Sequence, residues 1–453
     1  MKSQDIWESP VGWTCPRAVW GAGVIALLLC AVFRMLWPEL GSHAETVMAV
    51  LGLIIVLSLG RGIRSSAALW LLLAVVVVQV ISWTLGYYHH PQWVADNPQV
   101  DRLAKLFIFI SVAWWLGGST RNTLLVWCLA VMGLILSSVV QGDGLNEWLR
   151  GFEGHRVGFG VRNYQHGAML FGVALLGLVV FTPRFLAPGR WRAVRAVAWC
   201  VMLVLSAIAV LIGQTRAVWL ALLLALPLVL VVWLVARRFL GGAPVNRKFL
   251  VSGLVILLLV IVGAGSALKG PLLERAGKES AVIGMLLEGN IDDVPYTSIG
   301  IRIHSWQAAF EWIEQRPLVG WGGQGRGLVI DHTPWLPDRV KNNFGHLHNF
   351  FIEVWVAYGI LGLAVIAAFA FWVGLATWRA WRGGVLPGDM ALFGAGFFVY
   401  WMVVNQFESY NSFWTGVYVH NLVVGGLITH YWRWLRVGRE RSGPSGAGAA
   451  GIS

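Results

Sequence analysis

Long apolar runs separated by short polar segments constrain the fold of this chain more than any other feature. An α-helix needs roughly 20 mostly apolar residues to cross a bilayer. Twelve runs near that length lie at 18–36, 44–60, 66–86, 103–118, 122–140, 164–182, 194–213, 216–237, 249–268, 349–378, 388–405 and 414–434. The chain is 57% hydrophobic and 12% charged, whereas soluble proteins carry about 25% charged residues. We therefore expect an all-α polytopic membrane protein with about 12 transmembrane helices, although the short breaks within 103–140 and 194–237 leave ten or eleven open.

Lysine and arginine residues indicate which side of the membrane the termini occupy. With a cytoplasmic N-terminus, 19 of the 34 Lys and Arg residues fall in cytoplasmic segments and 15 fall outside. Eight of those 15 belong to one long external loop, to which the positive-inside rule does not apply. The remaining bias predicts that both termini are cytoplasmic.

The same boundaries divide the chain into four expected parts. Residues 1–268 form transmembrane helices 1–9, and 269–348 form one large external loop domain of short surface helices. Residues 349–434 form transmembrane helices 10–12, and 435–453 form a small, flexible, disordered cytoplasmic tail.

Cofactor and nucleic-acid binding find little support in the sequence. The net charge of +12 reflects membrane topology, and the four cysteines lack the paired spacing of a metal site. The stretch "GWGGQG" (320–325) matches G-x-G-x-x-G but lacks the flanking strand and helix of a dinucleotide site, so a tight turn is the better interpretation. We expect no cofactor, no metal and no nucleic-acid partner.

Four external arginines are candidate ligands of an anion. Arg216 begins the eighth span, where free N–H groups and the helix dipole favour negative charge, or it is a snorkelling interface residue. Arg302 lies one turn from Trp306 on a predicted amphipathic helix that ends before Pro317, or it belongs to a solvated face. Arg156 and Arg162 precede the sixth span, where they either help to hold a phosphate or form a plain interfacial loop.

The stretch "FGHLHNFFIEV" (344–354) places two histidines and an asparagine where the tenth span begins. An ordinary pKa of about 6.5 suits histidine for proton abstraction near neutral pH. We interpret His348 as the general base, His346 as a weaker alternative, and Asn349 as a supporting residue. A structural role or a zinc site is the alternative, but no carboxylate or cysteine lies at a convincing spacing for a third ligand.

External arginines beside a histidine favour one class of chemistry. Arginine binds phosphate oxygens through two parallel hydrogen bonds and keeps its charge. It can stabilise the charge on a departing diphosphate while a histidine deprotonates a hydroxyl. These residues fit transfer of a sugar chain from a polyprenyl diphosphate to a hydroxyl acceptor.

The sequence resembles the bacterial O-antigen ligase family, within the wider O-antigen ligase/polymerase-like superfamily. The resemblance rests on "TRAVWLAL", on the stretch from Arg302 to "PLVGWGGQG", and on "HLHNFFIEVWVAYGILGLA", which occur in that order over roughly 210–365. It implies a periplasmic loop and active site in the Gram-negative inner membrane and a GT-C-like glycosyltransferase architecture. It also implies inverting, metal-independent transfer of O-antigen from undecaprenyl diphosphate to lipid A–core oligosaccharide, in contact with membrane lipids. Arg216, Arg302 and His348 match residues of the family motifs, whereas Arg156 and Arg162 are assigned from position only.

Three other functions remain open at this point. An O-antigen polymerase and a protein O-oligosaccharyltransferase would use the same lipid-linked donor with a different acceptor. A lipid-linked sugar transporter or flippase would perform no chemistry, but its spans should contain ionisable residues, and here these runs are nearly free of them.

Overall fold

The computed structural model of this protein describes residues 7–8, 13–239, 284–285, 288 and 293–441. Every regular element in those residues is a helix, and they contain no β-strand. The helices before residue 240 are α1 (Arg17–Leu36), α2 (Pro38–Leu59), α3 (Ala67–His89), α4 (Asp101–Ala104), α5 (Phe109–Leu116), α6 (Thr120–Val140), α7 (Leu145–Phe152), α8 (Tyr164–Val180), α9 (Thr182–Phe185), α10 (Arg192–Ile212) and α11 (Arg216–Phe239). Those after residue 293 are α12 (Ser298–Gln315), α13 (Gly325–His332), α14 (Asp338–Asn343), α15 (Phe350–Arg382), α16 (Gly388–Phe407) and α17 (Trp414–Arg441).

Eight of these helices are long and apolar enough to cross a membrane: α1, α2, α3, α6, α10, α11, α15 and α16. They match predicted runs to within a few residues, which confirms a multi-pass membrane protein. The run at 164–182 is the shorter apolar helix α8, of 17 residues, and the run at 414–434 lies within α17. The run at 249–268, most of 269–292 and the tail beyond 441 lie outside the described residues. A total of twelve spans and a GT-C-like architecture therefore stay predictions.

Hydrogen bonds between helix ends show how neighbouring helices are aligned. We call the end of the bundle that carries residues 344–349 the upper end, and the other the lower end. Near the upper end, the Gln141 side chain donates to the Leu36 carbonyl (2.6 Å), which joins the residue after α6 to the end of α1. At the lower end, Thr120 Oγ1 and His430 Nε2 are 3.0 Å apart, which joins the start of α6 to α17. Helices α1 and α6 therefore both run from the lower end to the upper end, and α17 runs in the opposite direction.

The predicted span at 103–118 is not a regular transmembrane helix, which corrects the expectation from its hydropathy. It consists of α4, a 3₁₀ turn and the eight-residue helix α5, whose residues are all buried. Helix α17 runs parallel to it: Asn421 accepts a hydrogen bond from the Phe109 N–H (2.8 Å), and Thr429 donates one to the Ala113 carbonyl (2.7 Å). An interrupted helix is tolerated at this depth because protein side chains satisfy its backbone groups.

The described part of the large loop folds as three helices around a small core of its own. Helix α12 covers the predicted amphipathic segment and ends two residues before Pro317. Trp312 is buried at its centre, where the indole N–H donates to Thr333 (3.0 Å) and the carbonyl accepts from the Trp321 indole (2.8 Å). These residues belong to one apolar cluster that joins α12, α13 and the first turns of α15.

The glycine-rich turn after α12 packs into a break in α15. Gly359 has φ of +63°, a conformation that residues with a Cβ rarely adopt, and it interrupts the helix. The free carbonyl of Val356 accepts a hydrogen bond from the Trp321 N–H (2.9 Å) instead. A Cβ on Gly359 would lie 2.1 Å from the carbonyl carbon of Leu318. Glycine is needed here both for its φ and for the close approach of the two backbones.

We expect Gly359→Ala to destabilise the protein strongly and to move the 317–322 segment away from α15. The positive φ alone costs about 1–3 kcal/mol in a residue with a Cβ, and the clash with Leu318 adds to it. Gly374→Ala is the matched control, because it lies on the same helix and its Cβ would have no atom within 4 Å. Thermal unfolding in detergent should show a lower midpoint for Gly359→Ala only. Equal midpoints for the two variants would contradict this account of the break.

Candidate active site

Residues 344–349 form a turn whose shape is fixed through Leu347. The Leu347 N–H donates to Glu353 Oε1 (3.1 Å), and its carbonyl accepts from the Trp306 indole (2.8 Å). His348 adopts φ of +53°, which is uncommon for a residue other than glycine and recurs at functional sites. The turn brings the rings of His346 and His348 to the same side, with centroids 4.0 Å apart. The sequence predicts that Trp306 lies beside Arg302. In the structure its indole N–H is hydrogen-bonded to the histidine turn.

Both histidines contact one buried carboxylate, that of Glu408, directly after α16. His346 Nε2 lies 2.8 Å from Oε1, and His348 Nδ1 lies 2.9 Å from Oε2. The Glu408 side chain is fully buried, and the Ser409 N–H donates to Oε1 as well (3.1 Å). Because an ionised carboxylate only accepts hydrogen bonds, the nitrogen facing it on each ring carries the proton. In a neutral ring held this way, the other nitrogen is unprotonated.

Arg302 reaches this carboxylate through Gln165. The Gln165 amide N–H donates to Glu408 Oε2 (2.9 Å), and its oxygen accepts from Arg302 Nη2 (3.3 Å). Gln165 lies in the first turn of α8, after the capping residue Asn163. Helices α8 and α12 thus bring an amide and a guanidinium into one hydrogen-bonded network with the histidines.

Burial controls the protonation states in this network. Burial lowers the pKa of His348 below its ordinary value, and the hydrogen bond and charge of Glu408 offset part of that decrease. Burial also acts to raise the pKa of Glu408, but the hydrogen bonds from His346 and His348 outweigh it and hold that pKa well below the usual range. At neutral pH the arrangement is an ionised carboxylate beside a neutral His348.

Asn349 lies beside the histidines and caps the helix that follows them. Its side-chain oxygen accepts from the backbone N–H groups of Phe351 (3.0 Å) and Ile352 (3.2 Å) at the start of α15. Its amide N–H donates to the Gln406 side chain (3.1 Å), near the end of α16. Asn349 therefore fixes the turn to both helices that frame the site.

The other candidate arginines lie at the neighbouring ends of α8 and α11. Arg156 donates to Thr215 Oγ1 (3.2 Å), directly before Arg216, which is exposed in the first turn of α11. The hydroxyl of Tyr410, which donates to the Gln165 carbonyl, is within electrostatic range of both Arg156 and Arg302. Arg162 is exposed in the loop before α8. Arg302 thus joins the histidine network, Arg156 contacts the residue before Arg216, and Arg216 and Arg162 are exposed.

Two residues of the site, Glu408 and Gln165, are not singled out by the sequence reasoning. Glu408 lies 60 positions after His348, and Gln165 lies 243 positions before Glu408. One usable signal for Glu408 was its place in the short external segment 405–413, where an unpaired carboxylate next to a membrane needs a partner. Gln165 gave no comparable signal, because polar residues such as glutamine are common in loops.

The third ligand that the sequence lacked for a metal site is present in the structure. One nitrogen each of His346 and His348 and an oxygen of Glu408 lie within 4.8 Å of one another. Two histidines and a carboxylate are a known zinc ligand set. In the described arrangement, however, both nitrogens hydrogen-bond the carboxylate directly, so a metal ion would have to replace both bonds.

The geometry suits proton abstraction beside an anion. His348 Nε2 has no hydrogen-bond partner among the described residues, while Nδ1 is held by Glu408. This is the carboxylate–imidazole arrangement that fixes a histidine tautomer and leaves its other nitrogen as a base. Arg302 Nε is buried and also without a partner in the described part of the chain, so it has a free donor for an anionic ligand.

Comparisons with known proteins relate this chain to others. A family model described as O-antigen ligase matches residues 201–367, which include Arg216, Arg302, His346 and His348. An uncharacterised protein of Haemophilus influenzae is 22% identical over 204 residues, or 45% of this chain and 48% of the relative. The match thus spans about half the length of that curated relative.

The family match therefore contains the histidine turn, the loop helix α12 and the start of α11, all of which meet at the upper end of the bundle. Over residues 201–367, about a third of its length, the chain is similar to the O-antigen ligase family.

Proposed function

We propose that this protein is an O-antigen ligase. It moves O-antigen polysaccharide from undecaprenyl diphosphate to a sugar hydroxyl of lipid A–core, as an inverting glycosyltransferase without a metal ion. The proposal includes a GT-C-like fold in the inner membrane of a Gram-negative bacterium, with the upper end at the periplasmic face and both termini cytoplasmic. The observation that carries it is the network in which Glu408 holds both histidines and, through Gln165, Arg302.

The reaction follows from the free nitrogen of His348. Nε2 accepts the proton of the acceptor hydroxyl while that oxygen forms a bond to the anomeric carbon of the donor. The bond between this carbon and the diphosphate oxygen breaks, and its electron pair leaves with undecaprenyl diphosphate. The proton stays on His348, where the negative charge of Glu408 stabilises the imidazolium. Attack on the face opposite the leaving group inverts the anomeric configuration.

The arginines would stabilise the departing diphosphate. Arg302 is partly buried beside the histidine network, where a guanidinium interacts more strongly with an anion than it would in water. Arg156 contacts Thr215, the residue before Arg216, so both arginines lie at the start of α11 and would extend the same cationic wall. Arg162 is exposed in the loop before α8, and its proposed part in donor binding rests on that position alone.

Purified protein given undecaprenyl-diphosphate-linked O-antigen and lipid A–core should release undecaprenyl diphosphate. His348→Ala should lower the rate of this release by about 10²–10⁴-fold, the usual contribution of a general base. His43→Ala is the matched control, because His43 is exposed on α2 and outside the site. Substituting a second lipid-linked chain or a protein as acceptor separates ligase from polymerase and O-oligosaccharyltransferase. Movement of the lipid-linked sugar across vesicles without release would contradict an enzyme and support a flippase.

The pH dependence of this activity should report His348. The rate should fall only below the ordinary histidine pKa of about 6.5, because burial lowers the pKa of His348 and the protonated ring cannot act as a base. Glu408→Gln removes the charge that raises this pKa, so the acidic decline should move to lower pH while the maximal rate decreases. Rate profiles between about pH 5 and 8 test this. A decline centred above the ordinary value in the unaltered protein would argue against His348 as the base.

Chelation should leave the activity unchanged, since the proposed reaction uses His346, His348 and Glu408 as hydrogen-bonding groups. The measurement is the rate of undecaprenyl diphosphate release before and after treatment with EDTA. Loss of activity that zinc restores would instead assign these three residues to a catalytic metal.

A further inference from the structure

A second cationic group lies at the upper end, apart from the arginines assigned to the donor. It consists of Arg102, Lys105 and Arg326, which come from α4, the 3₁₀ turn after it, and α13. Lys105 is within electrostatic range of both arginines, and Arg102 is within range of Arg326. All three side chains are partly exposed, so a ligand can approach them. We call these three residues the Arg326 cluster.

Neighbouring carboxylates do not neutralise this cluster completely. Glu353 pairs with Arg326 (3.2 Å), but its oxygens also accept from the Leu347 N–H (3.1 Å) and the Ser412 hydroxyl (2.9 Å). Asp101 is exposed. Glu45, which is also within electrostatic range of Lys105, pairs with Arg34 (2.9 Å) outside the cluster. Three cations therefore face Asp101 and Glu353, and Glu353 is already bound on both oxygens. The cluster keeps a positive charge at the membrane surface.

A buried hydroxyl group without a partner lies within this cluster. Tyr358 is 2% exposed, and its hydroxyl has no hydrogen-bond partner in the described part of the chain. The same hydroxyl is within electrostatic range of Arg102 and Arg326. A buried polar group without a partner destabilises the folded protein, so an anionic ligand that accepts from it would remove that cost.

Phe413 connects the Arg326 cluster to the histidine turn, whereas different residues connect Arg302 to that turn. The Phe413 ring contacts the His346 ring (centroids 5.3 Å apart), and the Arg326 guanidinium carbon lies 5.7 Å from the centre of the same ring. Arg302 instead reaches the histidines through Gln165 and Glu408. The site therefore has two separate cationic walls around one pair of histidines.

We propose that the Arg326 cluster and the Tyr358 hydroxyl bind a phosphate group of the acceptor glycolipid. This inference rests on the proposed function, which assigns the donor diphosphate to the wall of Arg302. In-line displacement brings the acceptor to the face of the anomeric carbon opposite the diphosphate, so the two lipids need separate anion sites. Three cations and a hydroxyl donor match the oxygens of a phosphate monoester.

The test is binding of lipid A–core to the full-length protein in detergent, by native mass spectrometry, with its phosphates intact or removed chemically. We expect Arg102→Gln to weaken binding of the phosphorylated lipid by about tenfold, or about 1.4 kcal/mol, since it removes a charged hydrogen-bond donor to the phosphate. Tyr358→Phe should weaken it by about threefold without lowering thermal stability, since the hydroxyl has no partner to lose. Neither variant should change binding of the dephosphorylated lipid. Arg339→Gln, on an exposed residue of α14, is the control of equal charge change.

Other outcomes overturn the inference and identify the source of the phosphate. Equal losses with phosphorylated and dephosphorylated lipid would exclude phosphate recognition. A larger loss for undecaprenyl diphosphate alone would assign the cluster to the donor, and a loss for phosphatidylglycerol of the same size would make it a general lipid site. If the unaltered protein shows the expected binding but releases no undecaprenyl diphosphate from the donor, the proposed function fails while this site stands. Normal release with unchanged binding in both variants would remove this site alone.

Discussion

The upper end of the molecule depends on the burial of the Glu408 carboxylate. An ionised carboxylate removed from water is strongly unfavourable unless donors occupy its oxygens. The donors here come from the histidine turn, from Gln165 at the start of α8 and from the next backbone N–H. Each donor must stay within about 3 Å of its oxygen, so one carboxylate fixes how α8, α15 and α16 meet. The same contacts select the tautomer of His348 that can act as a base.

The break in α15 gives this site a rigid support. At Gly359 the helix gives up part of its internal hydrogen bonding, and the segment 317–322 takes over two of the freed carbonyls, those of Val356 and Ala357. The loop helices are thereby attached to a membrane-spanning helix through the backbone as well as through side chains. Because α12 carries both Arg302 and Trp306, this attachment helps to fix the guanidinium and the histidine turn relative to each other.

Hydropathy predicts the helices well where a helix contacts lipid and less well where it contacts protein. The ends of α1, α3 and α15 lie within a few residues of the predicted runs, because lipid requires continuous apolar helices. The segment 103–118 is equally apolar, but it is surrounded by protein, and α17 satisfies its backbone, so it need not be a regular helix. Hydropathy measures apolar length and cannot distinguish these two environments.

The sequence by itself determined the membrane class, the helical runs, the family resemblance and the candidates Arg302, His346 and His348. It did so because span length, residue type and short motifs are local properties. The tertiary structure alone decided that Glu408 and Gln165 complete the site and that Arg302 joins it while Arg162 faces outward. It also revealed the second cationic wall at Arg326. These relations depend on contacts between residues far apart in the chain, and only the packing of helices in three dimensions creates them.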